Sequence, residues 1–565
     1  MAPRFHVELI KPSHYDDDGY VIQWWKASVP SNSLASLYAI VLDAAQRRVL
    51  GDEVTLTLDA WDECNCVIAP AQLARRIRRA EAGGIAFLVG VQSNQFPRAM
   101  DIARDLFARG VRVVIGGFHV SGCLAMLSEL PPDLREALDL GITLFAGEAE
   151  SHIDTLLQDA FAGRLKPLYN FMRDLPDLDG APSTFLPPEK LSRYSPPIGS
   201  FDAGRGCPFE CSFCTIINVQ GRKSRHRSAD DVERLLRQHL AQGVYRFAIT
   251  DDDFARNRNW EAILDRIIAM REREGLYFRF LIQVDAAAHR IPNFIEKCRR
   301  AGCLRVFIGL ETISPDNLLH AKKRQNKVAE YRRMFQAWRA AGIMTFCGYI
   351  LGFPADSVAS IERDIAIIQR ELPLDILEFF VLTPLPGSED HQKLSRDGVW
   401  MDPDMNKYDT EHVCTGHPRM TPAAWQDIYK RAWALYYTPA HIETLLRRAV
   451  ADGIDAKRLM LSIVQFRSIP LIENVHPLQG GYVRRKVRRT RRPGLPRENP
   501  LLFYPRRLAE SATALARTLA MLWWIDRIRR RVLREANRSR YDDLAITPLL
   551  PDAEERLALL QERPR

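Results

Sequence analysis

Hydrophobic positions in the first 160 residues fall into two alternating patterns. Residues 54–58, Val-Thr-Leu-Thr-Leu, alternate with the period of two expected of a strand, and 85–91 and 111–115 are short continuous apolar runs of the kind found in strands buried on both faces. Between them 70–82 and 97–109 carry apolar residues at helical spacing, and a further strand is predicted over 141–145. Strands alternating with helices imply an α/β fold built on a doubly wound parallel sheet. Two of these strands run into glycine-bearing loops, Gly116-Gly117-Phe118-His119-Val120-Ser121 and Gly147-Glu148-Ala149-Glu150. Ligands of such sheets sit beyond the strand carboxyl ends, so Gly116, Gly117, His119, Gly147 and Glu148 are candidate binding residues. For His119 the competing reading is a packed or capping side chain.

The alternation stops over 163–198, where seven prolines and little periodicity read as a connector across the surface. It resumes with short apolar strands predicted at 246–250, 278–284, 306–310, 344–351 and 376–382, separated by helical stretches such as 229–242. Beyond about residue 400 the spacing is helical, over 422–437, 441–451 and 456–465, and these helices are expected to cover one mouth of the second unit. The predicted segments are therefore 1–162, 163–198, 199–400, 401–475 and 476–565.

Charge changes the picture only at the end of the chain. The 565 residues carry a net +9, but 484–540 alone holds 18 Lys and Arg against four Asp and Glu, a local +14, leaving −5 elsewhere. The run from Arg484 to Arg492 precedes a helix in which Leu515, Leu519, Leu522, Ile525, Ile528 and Val532 form a stripe opposite many arginines, with Trp523 and Trp524 at its middle. Three readings stay open for this basic region: a solvated face packed on the body, an anchor at an anionic membrane surface, and, least favoured, a nucleic-acid clamp. Near the other end, Tyr15-Asp16-Asp17-Asp18-Gly19-Tyr20 lacks the spacing of a calcium loop and reads as an acidic turn, and Trp24 and Trp25 read as core or interface. No apolar run approaches the roughly 20 residues that span a bilayer, and the N-terminus lacks a signal-peptide pattern, so a cytoplasmic location is expected, with peripheral contact at the inner membrane surface through the basic helix.

The strongest chemical signal is Cys207-Pro208-Phe209-Glu210-Cys211-Ser212-Phe213-Cys214, which supplies three thiols and omits a fourth. A structural zinc site needs another ligand, and the nearest histidine, His226, lies in a basic stretch from Arg222 to Arg227 that reads as solvated. The remaining seven cysteines are scattered, as in a reducing compartment. A four-iron cluster held by three thiolates leaves one iron open to a ligand.

This CxxxCxxC pattern, with an aromatic before the last cysteine, resembles the signature of the radical S-adenosylmethionine superfamily. The resemblance implies that Cys207, Cys211 and Cys214 hold a [4Fe-4S] cluster, that Phe213 lies near the adenine of S-adenosylmethionine, and that the second unit is a partial, TIM-type (β/α)6 barrel. Strand-end motifs in the expected order, around Asp252, Gly309-Leu310-Glu311, Gly348 and Pro384, together with the upstream α/β unit, resemble the subgroup with a cobalamin-binding, Rossmann-like domain. On that resemblance Asp252, Gln283, Gly309 and Glu311 are candidates for binding S-adenosylmethionine, and Gly117 and Gly147 for approaching a corrin. Asp251 and Asp253 also admit capping roles, and Gly309 and Gly348 tight turns. The D-x-H-x-x-G motif that replaces cobalamin's lower ligand with histidine is missing. The implied function is a cobalamin-dependent methyltransferase acting on an unactivated carbon of a small-molecule or lipid substrate, fed electrons by a reductant such as flavodoxin or ferredoxin. Radical cyclisation, oxidation or rearrangement, and a non-catalytic iron–sulfur protein, remain the alternatives.

Overall fold

The computed structural model describes residues 2–548 and resolves the alternation into two six-stranded parallel sheets. Strand β1 (Arg4–Lys11) is followed by a short β2 (Gln23–Ala27) that pairs elsewhere, then by β3 (Thr55–Asp62), β4 (Gly84–Leu88), β5 (Arg112–Gly116), β6 (Thr143–Ala146) and β7 (Leu168–Asn170). The order β3-β1-β4-β5-β6-β7 reverses direction between β1 and β4, which places a topological switch point there. Helices Asn32–Gln46 and Ile153–Phe161 bury their apolar faces on one side of the sheet, and Pro70–Arg78 and Phe96–Phe107 on the other. The sheet is doubly wound, as its pattern predicts.

Two strands of this sheet escape the sequence pattern. The central β1 carries Glu8, which is wholly buried; Trp61 Nε1 donates to it at 2.7 Å and the Arg76 guanidinium lies at 3.2 Å, so a charge that argues against a core strand is satisfied in place. The edge strand β7 lies inside the expected proline-rich connector, whose first residues extend the sheet. The rest of that connector is pinned down: the buried Arg227 guanidinium donates to the carbonyls of Ala181 (2.8 Å) and Asp202 (3.0 Å). The stretch from Arg222 to Arg227 is thus not a solvated run, since Arg225 and Arg227 are both turned inward.

The second sheet begins with β8 (Gly199–Phe201); the hairpin β9 (Gly204–Arg205) and β10 (Arg225–His226) then encloses the cysteine loop. It continues through β11 (Arg246–Ile249), β12 (Arg279–Val284), β13 (Cys303–Glu311), β14 (Met344–Leu351) and β15 (Ile376–Val381), all parallel and side by side in chain order. This is the expected open (β/α)6 barrel. Helix Ala456–Ser468 closes its lower end, where Phe466 meets Phe346 near the start of β14 at 5.6 Å between ring centroids. The upper end is pinned by the segment before Pro422–Tyr436, with His417 Nε2 2.9 Å from the Phe353 carbonyl, and by Trp425 Nε1 donating to Leu351 O at 3.0 Å. The two units interlock where helix Phe118–Met126 meets the loop after β15: a Cβ on Gly122 would stand 2.4 Å from the Pro386 carbonyl oxygen, so only glycine permits this approach.

The two charge features at opposite ends of the sequence answer each other. Strand β16 (Gly481–Arg485) pairs antiparallel with β2, and buried Trp24 donates to Gln479 O at 2.8 Å. Arg484 bonds Asp16 at 3.0 Å, Lys486 bonds Asp18 at 2.7 Å, and Arg492 bonds Asp404 at 2.7 Å. Much of the basic run is therefore neutralised inside the protein, and the acidic turn is its counterpart. Helix Pro500–Arg534 follows, and no helix among the described residues is long and apolar enough to cross a membrane.

His412 stands between Asp409 (2.8 Å) and Asp17 (2.9 Å) beside this clasp. Burial opposes its charge, but hydrogen bonds to Asp17 and Asp409 outweigh burial and raise the imidazole to about 10. A folded value above the unfolded 6.5 means that this contribution is complete below about pH 6.5 and is lost as pH climbs through about 10. Thermal melts should show stability falling between pH 7 and 10, and a flatter fall in His412→Ala.

Candidate active site at the junction of the two sheets

The cysteine loop is built by backbone restraint. Gly206, with φ of +89°, turns the chain out of β9; a Cβ there would lie 2.5 Å from Lys223 O. Cys207 N donates to Gly221 O at 3.2 Å, Ser212 N to Ala321 O at 3.0 Å, and Asp390 N to Ser212 O at 3.1 Å, so the loop is held from both sides. All three thiols are free, Cys211 is buried, and Gln325 Nε2 lies 3.6 Å from its sulfur. Burial pushes Cys207 up to about 12 and Cys214 up to about 11, with Asp252 adding to both and Asp253 to Cys207, so a metal centre binding here displaces protons. Among the described residues no three Cys, His, Asp or Glu side chains converge tightly enough for a single ion. Thiolates that each hold a different iron of a polynuclear cluster need no such convergence.

The strand-end carboxylates mostly serve the architecture. Asp251, raised to about 7 by burial, accepts from Ala203 N at 2.6 Å and from Asn257 Nδ2 at 2.9 Å. Asp252, raised to about 6 by burial, accepts from Gly206 N at 2.8 Å and so anchors the turn into the cysteine loop. Asp253 lies beside Asp285, which the Arg256 guanidinium grips at 2.7 and 2.9 Å. Glu311 ends β13 in a left-handed conformation, φ +63°, and is ion-paired with buried Lys323. Gly309 makes room for that pair: a Cβ there would fall 2.5 Å from the Glu311 carboxylate. Neither Gly309 nor Gly348 has a positive φ, so both supply space and not a turn. Gln283 is half-buried on the strand face it shares with Phe307. Phe213 sits at the mouth against Phe353, 6.2 Å between centroids, with Lys323 Nζ 5.9 Å from its ring.

Sequence reasoning missed Lys323, Gln325 and Asn326. Asn326 Nδ2 donates to Gly309 O (2.9 Å) and Leu310 O (3.1 Å), fixing the irregular end of β13. The polar run Lys322-Lys323-Arg324-Gln325-Asn326 is visible in the sequence, but nothing in it announces that it folds back over the cysteine loop.

Beyond the carboxyl ends of β4, β5 and β6 lies a cavity of about 170 Å³. Its wall includes Gly116, Gly117, Gly147 and Glu148 from the first sheet, Ser36 and Leu37 from helix Asn32–Gln46, and Arg205, Val219 and Gln220 from around the cysteine loop. Gly117 adopts φ of +147° with its missing Cβ directed at the Val91 backbone, and Gly147 adopts φ of +104° against Phe171. His119 is not part of that wall. It is buried, with Ser93 Oγ and Asp133 Oδ2 at 3.1 and 2.8 Å from its two ring nitrogens and Phe96 against its face, so the packing reading replaces the binding one. No histidine lines the cavity.

Arg205 joins the two halves of the site. Its guanidinium reaches Glu148 and Glu150 of the first sheet's loop, both at 2.6 Å, and Asp202 of the barrel at 3.1 Å. Arg225 also grips Glu148. Replacing Arg205 with Met leaves three buried carboxylates short of a partner and should destabilise the protein by about 3–5 kcal/mol, read by chemical denaturation. Arg205→Lys should recover only part of it, since an ammonium lacks the fork that spans three acceptors.

Comparison with known proteins places these features in context. Residues 203–367 match the model of the radical SAM superfamily. The chain is 24% identical over 372 residues to the bacteriochlorophyllide d C-8(2)-methyltransferase of Chlorobaculum tepidum, covering 62% of this chain and 78% of that protein. It is 29% identical over 315 residues to the bacteriochlorophyllide d C-12(1)-methyltransferase of the same organism, covering 54% of this chain and 64%, just under two thirds, of that protein. The fold matches that of TsrM, a radical S-adenosylmethionine methyltransferase from Kitasatospora setae solved with cobalamin and a [4Fe-4S] cluster, with a TM-score of 0.57 and 16% identity over 78% of this chain and 90% of that one.

Proposed function

We propose that this chain, which belongs to the radical S-adenosylmethionine superfamily through residues 203–367, is a cobalamin-dependent methyltransferase acting on an unactivated carbon of a small-molecule substrate. The observation that carries the reading is the cavity shared by the glycine loops of the first sheet and by Arg205, Val219 and Gln220 around the cysteine loop. In this reading the cavity is the second cofactor site, directly against the cysteine loop. When bound, the cluster with S-adenosylmethionine supplies a hydrogen-abstracting radical, and cobalamin supplies a methyl group.

The chain's own residues supply placement and exclusion. Cys207, Cys211 and Cys214 are the cluster ligands in this reading. Glu311 with Lys323 would hold S-adenosylmethionine at the open end of the barrel, and Asp252 would act through the turn that it anchors. Gly116, Gly117 and Gly147 would leave room for a corrin by keeping the cavity free of side chains, and His119, bonded to Ser93 and Asp133, would take no part in holding it. Phe213, Ile350, Phe353, Phe380 and Leu382 pack into one apolar cluster that takes in the aromatic of the cysteine loop, which keeps water from a reactive radical. The two relatives are methyltransferases of bacteriochlorophyllide d, which supports a small-molecule substrate here.

Anaerobic reconstitution with iron, sulfide and cobalamin tests the reading. Wild type should bind both cofactors, release 5′-deoxyadenosine on reduction and yield a methylated product. Cys211→Ala should lose the cluster absorption and deoxyadenosine formation. Ser36→Phe, which fills the cavity from its helical wall, should cut cobalamin retention by roughly tenfold or more and leave cluster content unchanged. Deoxyadenosine without methyl transfer from a cobalamin-loaded enzyme would reduce the activity to another radical reaction.

A further inference from the structure

The basic stripe of the last helix separates, in the structure, into two faces. Stepping by three residues turns a helix position back by about 60°, so Leu519, Leu522, Ile525 and Ile528 precess around the axis and do not stay on one side. Ile525, Ile528 and Val532, at most 8% exposed, pack on helices Pro439–Ala451 and Ala456–Ser468. Leu501, Leu508, Leu515, Leu519 and Trp523 follow one another at intervals of seven and four, which keeps them on a single face. That face points away from the body, and its five side chains are 53–80% exposed. It runs about 33 Å along the axis. Of residues 501–520 only Phe503 is buried, against Tyr20, so this half of the helix has little support from the protein.

The same face continues into arginine. Past Trp523 the positions at matching intervals are Arg527, Arg530 and Arg534. Arg527 lies over the Trp523 ring at 4.7 Å, and Arg530 is bonded to Asp526 at 2.6 Å. Arg527 and Arg534 have no ion-pair partner among the described residues, while Arg484, Lys486 and Arg492 are spent on the clasp. The exposed positive charge is thus concentrated beside the exposed leucines.

We propose that this face of helix Pro500–Arg534 lies on an anionic lipid bilayer, with Leu501, Leu508, Leu515, Leu519 and Trp523 in the headgroup–acyl boundary and Arg527 and Arg534 at lipid phosphates. Apolar area and cations on one helix face match the two attractions of such a surface. A second copy of the chain fits less well, because it sets unpaired arginines against their own equivalents. Burying an otherwise unsupported helix half also supplies the packing that a helix in water lacks.

The test uses the full chain and vesicles of phosphatidylcholine with or without roughly a third phosphatidylglycerol. Wild type should float with the anionic vesicles, weakly or not at all with the neutral ones, and less as salt rises. The Leu508→Glu/Leu515→Glu/Leu519→Glu variant should lose flotation by roughly tenfold or more while keeping the wild-type melting temperature, because none of the three side chains is buried in the protein. Trp523 fluorescence, taken as the difference from Trp523→Phe, should shift to the blue on vesicle addition. Failure of wild type to float, or equal flotation of the triple variant, overturns the proposal. So does a dimer in solution that the triple variant dissolves, since the face is then an interface between copies.

Discussion

The arrangement of this protein turns on one buried charge cluster. Arg205 is two residues from Cys207, the first thiol of the cysteine loop, and it is held simultaneously by Glu148 and Glu150 from one sheet and by Asp202 from the other. Charges this deep are stable only when every partner is in place, because each lost contact exposes a full desolvation penalty. Such a cluster therefore tolerates one relative placement of the two sheets and penalises others. The glycine loops that frame the cavity and the loop that presents the thiols are thereby fixed to each other, and their separation becomes a property of a single side chain's contacts.

Around that cluster, the chain uses carboxylates to hold backbone as much as to hold ligands. Asp251 and Asp252 accept from Ala203 and Gly206, the two ends of the short β9 run. Glu311 and Lys323 fit together only because Gly309 leaves a gap. The geometry of the cysteine loop is in this sense made by β11 and β13, and the loop's own residues contribute chemistry more than shape.

Much of this was legible in the residues. Apolar runs marked the barrel strands closely, with 246–250 realised as Arg246–Ile249 and 344–351 as Met344–Leu351, because buried parallel strands leave continuous apolar stretches. The cysteine spacing is local and needed no fold to be recognised. What stayed hidden depends on partners distant in sequence. Glu8 disguised the central strand β1 until Trp61 and Arg76 were seen to satisfy it. The Asp16–Asp18 turn and the Arg484–Arg492 run each looked like solvated charge because neither reveals the other. His119 looked available until Asp133 and Ser93 were found at its two nitrogens. Periodicity also misled once, since a stripe read at intervals of three winds around a helix.

The pairing of β2 with β16 has a consequence for how the molecule is made. Asp16 and Arg484 are 468 residues apart, so at the usual pace of translation the acidic turn leaves the ribosome roughly half a minute or more before its counterpart exists. During that interval the nascent chain can complete its first sheet and most of its barrel, but it carries three adjacent aspartates and an open strand edge. The closure waits for residues 481–492, made after every strand of the barrel, and a polypeptide truncated before residue 484 lacks the means to shut it.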